Sequence, residues 1–97
     1  MKTKLPYVLI RSKSAGVFVG TLAERTGDTV TLHDSRRVWY WTGAATLSQL
    51  AQEGTSNPEG CKWPCAVARE TIFGVIEIID VTPAARATYD KVPVWTA

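Results

Sequence analysis

Alternating apolar and polar residues fill the first part of the chain and predict a β-rich N-terminal half. Strand-favouring runs are separated by short turn-type segments, and we predict strands at residues 5–11, 17–23, 29–33 and 36–41. Side chains two positions apart on a strand share a face, which places Val30 and Leu32 inward. Strands joined by short turns pair with their neighbours, so we expect a four-stranded antiparallel meander.

A short helix is predicted directly after the meander, over residues 47–53. Thr46 and Gln49 have the spacing of a capping box, in which each side chain accepts a free backbone N–H at the start of the helix. Leu50 lies on the apolar face of this helix, and Gly54 is suited to the left-handed conformation that ends it.

The C-terminal half is predicted to return to β structure and to end in a second helix. Residues 66–81 are the most apolar stretch and indicate one or two strands broken near Gly74. Thr82 and Pro83 have the residue types of an N-cap and first helical position, which predicts a helix over 84–89. We therefore expect a mainly β (α+β) fold: a small antiparallel sheet or barrel-like meander with one short central helix and a short C-terminal helix.

Length and composition favour a single domain, residues 1–97, in which 45% of the residues are hydrophobic. The apolar runs are too short to span a membrane, and the N-terminus lacks the apolar core of a signal peptide, which favours a cytoplasmic protein. A small core and open strand edges favour a homo-oligomer. The net charge of only +2 argues against strong non-specific binding to nucleic acid.

The two cysteines, Cys61 and Cys65, are too few for a protein-only zinc site, which needs four ligands. His33 is the only histidine and lies far away in sequence. We therefore predict no metal and no cofactor, and we predict free thiols rather than a disulfide in a reducing compartment. The long loop 55–65 that holds them is of a length often associated with function or mobility.

Catalytic chemistry is not indicated. His33 and Asp34 are neighbours on a predicted strand end and point to opposite faces, which disfavours an acid–base pair. No nucleophile has a recognisable local signature, so we predict that the protein is not an enzyme. Glu77 lies in an apolar run and needs solvent or a cation, for which Arg36 or Arg37 is a candidate.

The segment 35–41 is the richest in binding chemistry. On the predicted fourth strand, Arg37, Trp39 and Trp41 share one face, where an arginine can hold a phosphate while the indoles stack on a base. Two alternatives stay open: the tryptophans pack under the helix beneath arginine stems, or they bury in a partner subunit. The turn at Lys13 and Ser14 can present donors to an anion. The candidate ligand-binding or interface residues are Arg36, Arg37, Trp39, Trp41, Lys13 and Ser14.

The segment Arg-Arg-x-Trp-x-Trp-x-Gly-Ala at 36–44, with Ser-Ala-Gly-Val at 14–17 and Thr-Leu-Ser-Gln-Leu-Ala at 46–51, resembles a family of small bacteriophage proteins of unknown function. The resemblance covers roughly residues 7–81. It implies expression in the cytoplasm of an infected bacterium and supplies no catalytic residues.

Together these observations favour a non-enzymatic phage accessory protein that sequesters a nucleotide-like ligand or a host protein, in the manner of anti-defence proteins. One alternative is a nucleic-acid-binding protein with Arg36, Arg37 and the N-terminal Lys2 and Lys4 on phosphates. Another alternative is a structural component of the virion. No membrane partner is expected.

Overall fold

The computed structural model describes residues 5–97 and contains a five-stranded antiparallel sheet. The strands are β1 (Tyr7–Ser12), β2 (Gly16–Thr26), β3 (Thr29–Arg37), β4 (Val67–Ile72) and β5 (Val75–Asp80), in the order β4-β3-β2-β1-β5. The expectation of a mainly β fold is confirmed. The N-terminal lysines Lys2 and Lys4, considered as phosphate contacts, lie outside the described residues.

The sheet is rolled, because its two edge strands are joined by only two residues. β4 and β5 lie at opposite edges, yet only Phe73 and Gly74 separate them in the chain. Gly74 has a φ of 67° at this turn, a conformation that favours glycine. Backbone hydrogen bonds hold the connection: Lys13 N donates to Gly74 O at 2.8 Å, and Val75 N donates to Asp28 O at 2.9 Å. The sheet is therefore a partly closed barrel.

Two apolar clusters form the core, one on each face of the rolled sheet. Adjacent residues on a strand point to opposite faces, so Leu9 belongs to one cluster and its neighbours Val8 and Ile10 to the other. The inner cluster fills the barrel and consists of Val8, Ile10, Phe18, Val30, Leu32 and Ile72. The outer cluster lies beneath the helices α1 (Leu47–Glu53) and α2 (Pro83–Tyr89) and includes Leu9, Val19, Leu50, Trp63, Ala85 and Tyr89.

The predicted fourth strand at 36–41 is wrong. β3 continues without a turn to Arg37, and Asp34 and Ser35 together face the single residue Gly20 on β2, which is a β-bulge. Asp34 adopts a φ of 51° there. What looks like a turn in the sequence is therefore an irregularity inside one long strand, and β4 takes the fourth position in the meander.

Both predicted helices are confirmed, and each begins at the expected cap. In α1, Gln49 N donates to Thr46 Oγ1 at 3.1 Å, while Gln49 Oε1 accepts from Ala45 N at 2.7 Å, one residue before the position expected for a capping box. In α2, Ala85 N donates to Thr82 Oγ1 at 3.0 Å. Neither helix within residues 5–97 is long and apolar enough to cross a membrane.

The long loop after α1 is anchored to the core rather than extended into solvent. It contains a 3₁₀ turn at Pro58–Gly60 and then Trp63, whose side chain is fully buried against the ring of Tyr89 at a centroid distance of 5.1 Å. Cys61 is buried and Cys65 is exposed, and both are free thiols in the structure. The loop is thus part of the outer cluster.

Substitutions in α1 test the contribution of its cap and of its buried face. Thr46→Ala is expected to lower the free energy of unfolding by about 1 kcal/mol, because Gln49 N loses its acceptor. Leu50→Ala is expected to cost more, about 2–4 kcal/mol, because that side chain is fully buried. Urea denaturation followed by circular dichroism measures both. Equal and negligible losses would contradict this account of the helix.

Candidate binding site

Arg37 ends β3 and keeps part of its hydrogen-bonding capacity unused. Its guanidinium lies 4.5 Å from the centroid of the Phe18 ring, and Nη1 donates to Ala15 O at 2.7 Å. Nη2 is 3.9 Å from Glu70 Oε2, which is too long for a hydrogen bond. Within residues 5–97, Nε and Nη2 donate to no acceptor. The side chain is therefore held in place but retains donors for a ligand.

Glu70, on β4, is the carboxylate beside Arg37. Ser35 Oγ donates to Glu70 Oε1 at 2.6 Å, and the serine is fully buried. This hydrogen bond fixes the carboxylate so that its other oxygen faces Arg37. The interpretation of Glu77 as a partner of Arg36 or Arg37 is wrong: Glu77 pairs with Arg11 across β1 and β5, with an Nε–Oε1 distance of 3.2 Å.

The structure brings Arg37, Trp39 and Trp41 together around one recess of about 260 Å³. We call it the tryptophan recess; its walls are completed by Ala15, Gly16, Val17 and Val38. Trp41 is half-buried and its Nε1 donates to Ala44 O at 3.2 Å, whereas Trp39 is 64% exposed. The predicted grouping of these three residues is therefore observed, although residues 38–41 are not a strand of the sheet.

A second recess of about 400 Å³ opens on the other side of Arg37, at the mouth of the barrel. Ser14, Phe18, Glu70 and Phe73 are among its lining residues. The carboxylate makes this side less favourable for an anion than the tryptophan recess, which has Arg37 and no acidic residue in its lining. Lys13 is exposed and is not among the lining residues of either recess.

Arg36 does not join the candidate site. Its guanidinium points into the outer cluster, 5.4 Å from the centroid of the Trp63 ring, where burial lowers its pKa. An arginine has five N–H donors, and here they reach five backbone carbonyls. The acceptors are the carbonyl oxygens of Trp63, Pro64, Tyr89, Val92 and Pro93. No donor is left for a ligand, so Arg36 holds the loop and the C-terminal segment to β3.

Three exposed aromatic rings form a surface next to the tryptophan recess, which we call the aromatic platform: Trp39, Tyr40 and Trp95. Their exposed fractions are 64%, 50% and 47%. Trp39 and Trp95 are stacked, with a centroid distance of 6.3 Å and an interplanar angle of 12°. Lys62 Nζ lies 6.0 Å from the Tyr40 ring and 5.8 Å from the Trp95 ring. A cation thus accompanies the rings.

Tyr40, Lys62 and Trp95 were not predicted as site residues, because long-range pairing brings them together. Tyr40 and Lys62 form an isolated antiparallel bridge, in which Lys62 N donates to Tyr40 O at 2.8 Å. Trp95 N donates to Trp63 O at 2.9 Å. The only signal in the sequence was the position of Tyr40 between two tryptophans.

Comparison with known families covers most of the candidate site. A family model described as a domain of unknown function, DUF6948, matches residues 5–89. The chain belongs to this family. No curated protein and no solved structure matches it. Within the DUF6948 match lie the tryptophan recess, Tyr40 and Lys62, whereas Trp95 lies beyond its C-terminal end.

Metal binding finds no support in the described part of this DUF6948 protein. Among residues 5–97, no group of three or more His, Cys, Asp or Glu side chains is placed to hold an ion. The groups available for binding in the tryptophan recess are the guanidinium of Arg37, with unused N–H donors, and the indole rings of Trp39 and Trp41.

Proposed function

We propose that the protein is a non-enzymatic binding protein whose tryptophan recess takes a small ligand with a flat ring and an anionic group, as in a nucleotide. The observation that carries this proposal is the meeting of Arg37, Trp39 and Trp41 around one recess. A guanidinium binds phosphate oxygens through paired N–H donors, and indole rings stack on a base.

The setting of Arg37 suits such a role because the side chain is ordered before a ligand arrives. One donor is occupied by Ala15 O and the flat face is packed on Phe18, so little side-chain freedom remains to be lost on binding. The carboxylate of Glu70 accepts from Ser35 and lies 3.9 Å from Arg37 Nη2, in the lining of the second recess and not of the tryptophan recess. Sequestration rather than turnover fits a recess whose lining has no acid, base or nucleophile.

We further propose that this is a phage accessory protein acting in the host bacterial cytoplasm as a homo-oligomer. The resemblance of the 36–44 segment to small bacteriophage proteins supports the first part. Large apolar side chains that remain exposed support the second, since such surface is favourable to bury. They include Phe73 at 68% exposure, Ile76 at 57% and Val94 at 54%.

Arg37→Ala tests the recess. We expect it to weaken binding of AMP and related mononucleotides by about 10–100-fold, because a charge-assisted hydrogen bond to phosphate is lost. The melting temperature should stay nearly unchanged, since the side chain is partly exposed and its ion pair with Glu70 is loose. Titration of tryptophan fluorescence with each nucleotide gives the affinity, and calorimetric melts give the stability.

The matched control is Arg69→Ala, an exposed arginine on β4 that lines neither recess on the sides of Arg37. It should leave nucleotide affinity unchanged. The proposal is overturned if the wild-type protein shows no saturable binding of any mononucleotide at millimolar concentration. It is also overturned if Arg37→Ala lowers stability but not affinity. Light scattering on the same samples tests the oligomer: a mass of 10.6 kDa at tens of micromolar contradicts it.

A further inference from the structure

We infer that the aromatic platform extends the tryptophan recess into a path for single-stranded nucleic acid, so that the preferred ligand is a strand of several nucleotides. The inference rests on the proposed function and deepens it. Its observations are the exposure and stacking of the platform rings and the lysine beside them.

Trp39 connects the two parts of the surface. Its side chain lines the tryptophan recess together with Arg37, and its ring is also stacked with that of Trp95. A base bound in the recess would therefore have the ring of Trp95 near it, as a stacking surface for the next base. A mononucleotide uses only the first of these places, whereas a strand uses both.

The platform has the properties of a stacking surface for unpaired bases. Its three rings are about half exposed or more, whereas Trp63 and Tyr89 in the same fold are buried. The near-parallel arrangement of Trp39 and Trp95 presents two rings in similar orientation. Every base has a π-face, so stacking of this kind tolerates any sequence and requires that the bases be unpaired.

Two positively charged side chains lie beside the rings, where the phosphate backbone of a bound nucleic acid would run. Arg37 lies on one side of Trp39, and Lys62 lies on the platform side, over Tyr40 and Trp95. No acidic residue belongs to the platform or to the lining of the tryptophan recess. Two separate cations beside a row of rings match the alternation of phosphates and bases along a single strand.

The same features favour single-stranded nucleic acid as the ligand over duplex nucleic acid or a protein. Duplex binding without sequence readout depends on many phosphate contacts, and the net charge of +2 does not supply them. Protein interfaces are depleted in lysine at their centre, whereas Lys62 lies against two of the three rings. A protein partner, including a second copy of this chain, is therefore the alternative that the experiment must separate.

The test compares mononucleotides, single-stranded eight-nucleotide DNA and RNA, and the corresponding duplexes, using fluorescence anisotropy at several salt concentrations. We expect the single strands to bind at least tenfold more tightly than the mononucleotides and the duplexes. Trp95→Ala should remove about tenfold of the strand affinity, the usual contribution of one stacked base, while leaving mononucleotide affinity unchanged. Lys62→Ala should reduce the slope of log affinity against log salt by about 0.7.

Phe73→Ala is the matched control, because this ring is 68% exposed but lies at the barrel mouth, outside the platform. It should not change strand affinity. If mononucleotides and strands bind equally and Trp95→Ala affects neither, the platform inference fails and the recess proposal stands. If strands bind through Trp95 while mononucleotides do not bind and Arg37→Ala has no effect, the recess proposal fails instead.

Two further outcomes overturn the inference. Duplexes that bind as tightly as single strands would exclude base stacking as the source of affinity. A protein that binds no oligonucleotide but self-associates, and that becomes monomeric on Trp95→Ala, would assign the platform to a subunit interface. Circular dichroism melts of each variant check that the fold is retained, which is expected because Trp95 is 47% exposed.

Discussion

Replacing Trp63 with alanine is expected to lower the free energy of unfolding by about 3–5 kcal/mol, the largest effect we expect from any single change in the chain. The indole is fully buried, packs on the Tyr89 ring at 5.1 Å and lies under the Arg36 guanidinium. Its removal leaves a cavity beneath both helices. Urea denaturation followed by far-ultraviolet circular dichroism measures the loss.

The control for this change is Trp39→Ala, the same substitution at a site that is 64% exposed. It should change the free energy of unfolding by no more than about 0.5 kcal/mol. Similar losses for the two variants would contradict the assignment of Trp63 to the core and Trp39 to the surface.

Arg36→Ala is expected to cost about 2–4 kcal/mol, because five backbone carbonyls each lose a hydrogen bond and the loop and C-terminal segment lose their attachment to β3. Arg36→Lys should recover only part of this stability, since an ammonium group has three donors without the planar geometry of a guanidinium. The same denaturation experiment ranks the variants.

Comparison with Arg37→Ala makes this prediction specific. The neighbouring arginine donates one hydrogen bond, to Ala15 O, and its loss should be far less costly to stability. Arg36→Ala is thus expected mainly to lower the free energy of unfolding, and Arg37→Ala mainly to weaken nucleotide binding. An Arg36→Ala protein as stable as the wild type would show that the carbonyl cluster does not hold the loop.

Local signals in the sequence were sufficient for the helices. Thr46 and Thr82 each precede an apolar face at the spacing that a cap requires, and the cap hydrogen bonds involve residues only three positions away. Such features depend on neighbouring residues alone. The break at Gly74 was predictable for the same reason, because a tight turn with positive φ favours glycine.

The end of the meander was not predictable from local pattern. Asp34 and Ser35 have the composition of a turn, but tertiary pairing with β2 and β4 makes them a bulge packed against Gly20. A Cβ on Gly20 would lie only 3.0 Å from Ser35 Cα, so this close approach depends on glycine. Whether these residues form a turn or a bulge depends on the pairing of β3 with both of its neighbours, and the apolar–polar periodicity of the sequence does not indicate that pairing.

The candidate site was predicted in part. Arg37, Trp39 and Trp41 do line one recess, as the sequence predicted, but Trp41 also packs against the outer cluster that Arg36 enters. Arg36 was predicted as a ligand-binding residue, but its donors are taken by backbone carbonyls. These carbonyls belong to the loop and the C-terminal segment, which are distant from Arg36 in sequence. Lys62 reaches the site through a bridge to Tyr40, and Trp95 through a backbone hydrogen bond to Trp63; a single sequence reveals neither contact.

The pairing of β1 with β5 has a consequence for synthesis of the protein in the cell. β1 leaves the ribosome before the other four strands of this sheet, but its second neighbour, β5, is the last of the five to be synthesised. During translation the N-terminal hairpin therefore has one open edge carrying Val8, Leu9 and Ile10. The barrel closes only after β5 has emerged, so its folding is governed by contacts between segments distant in sequence.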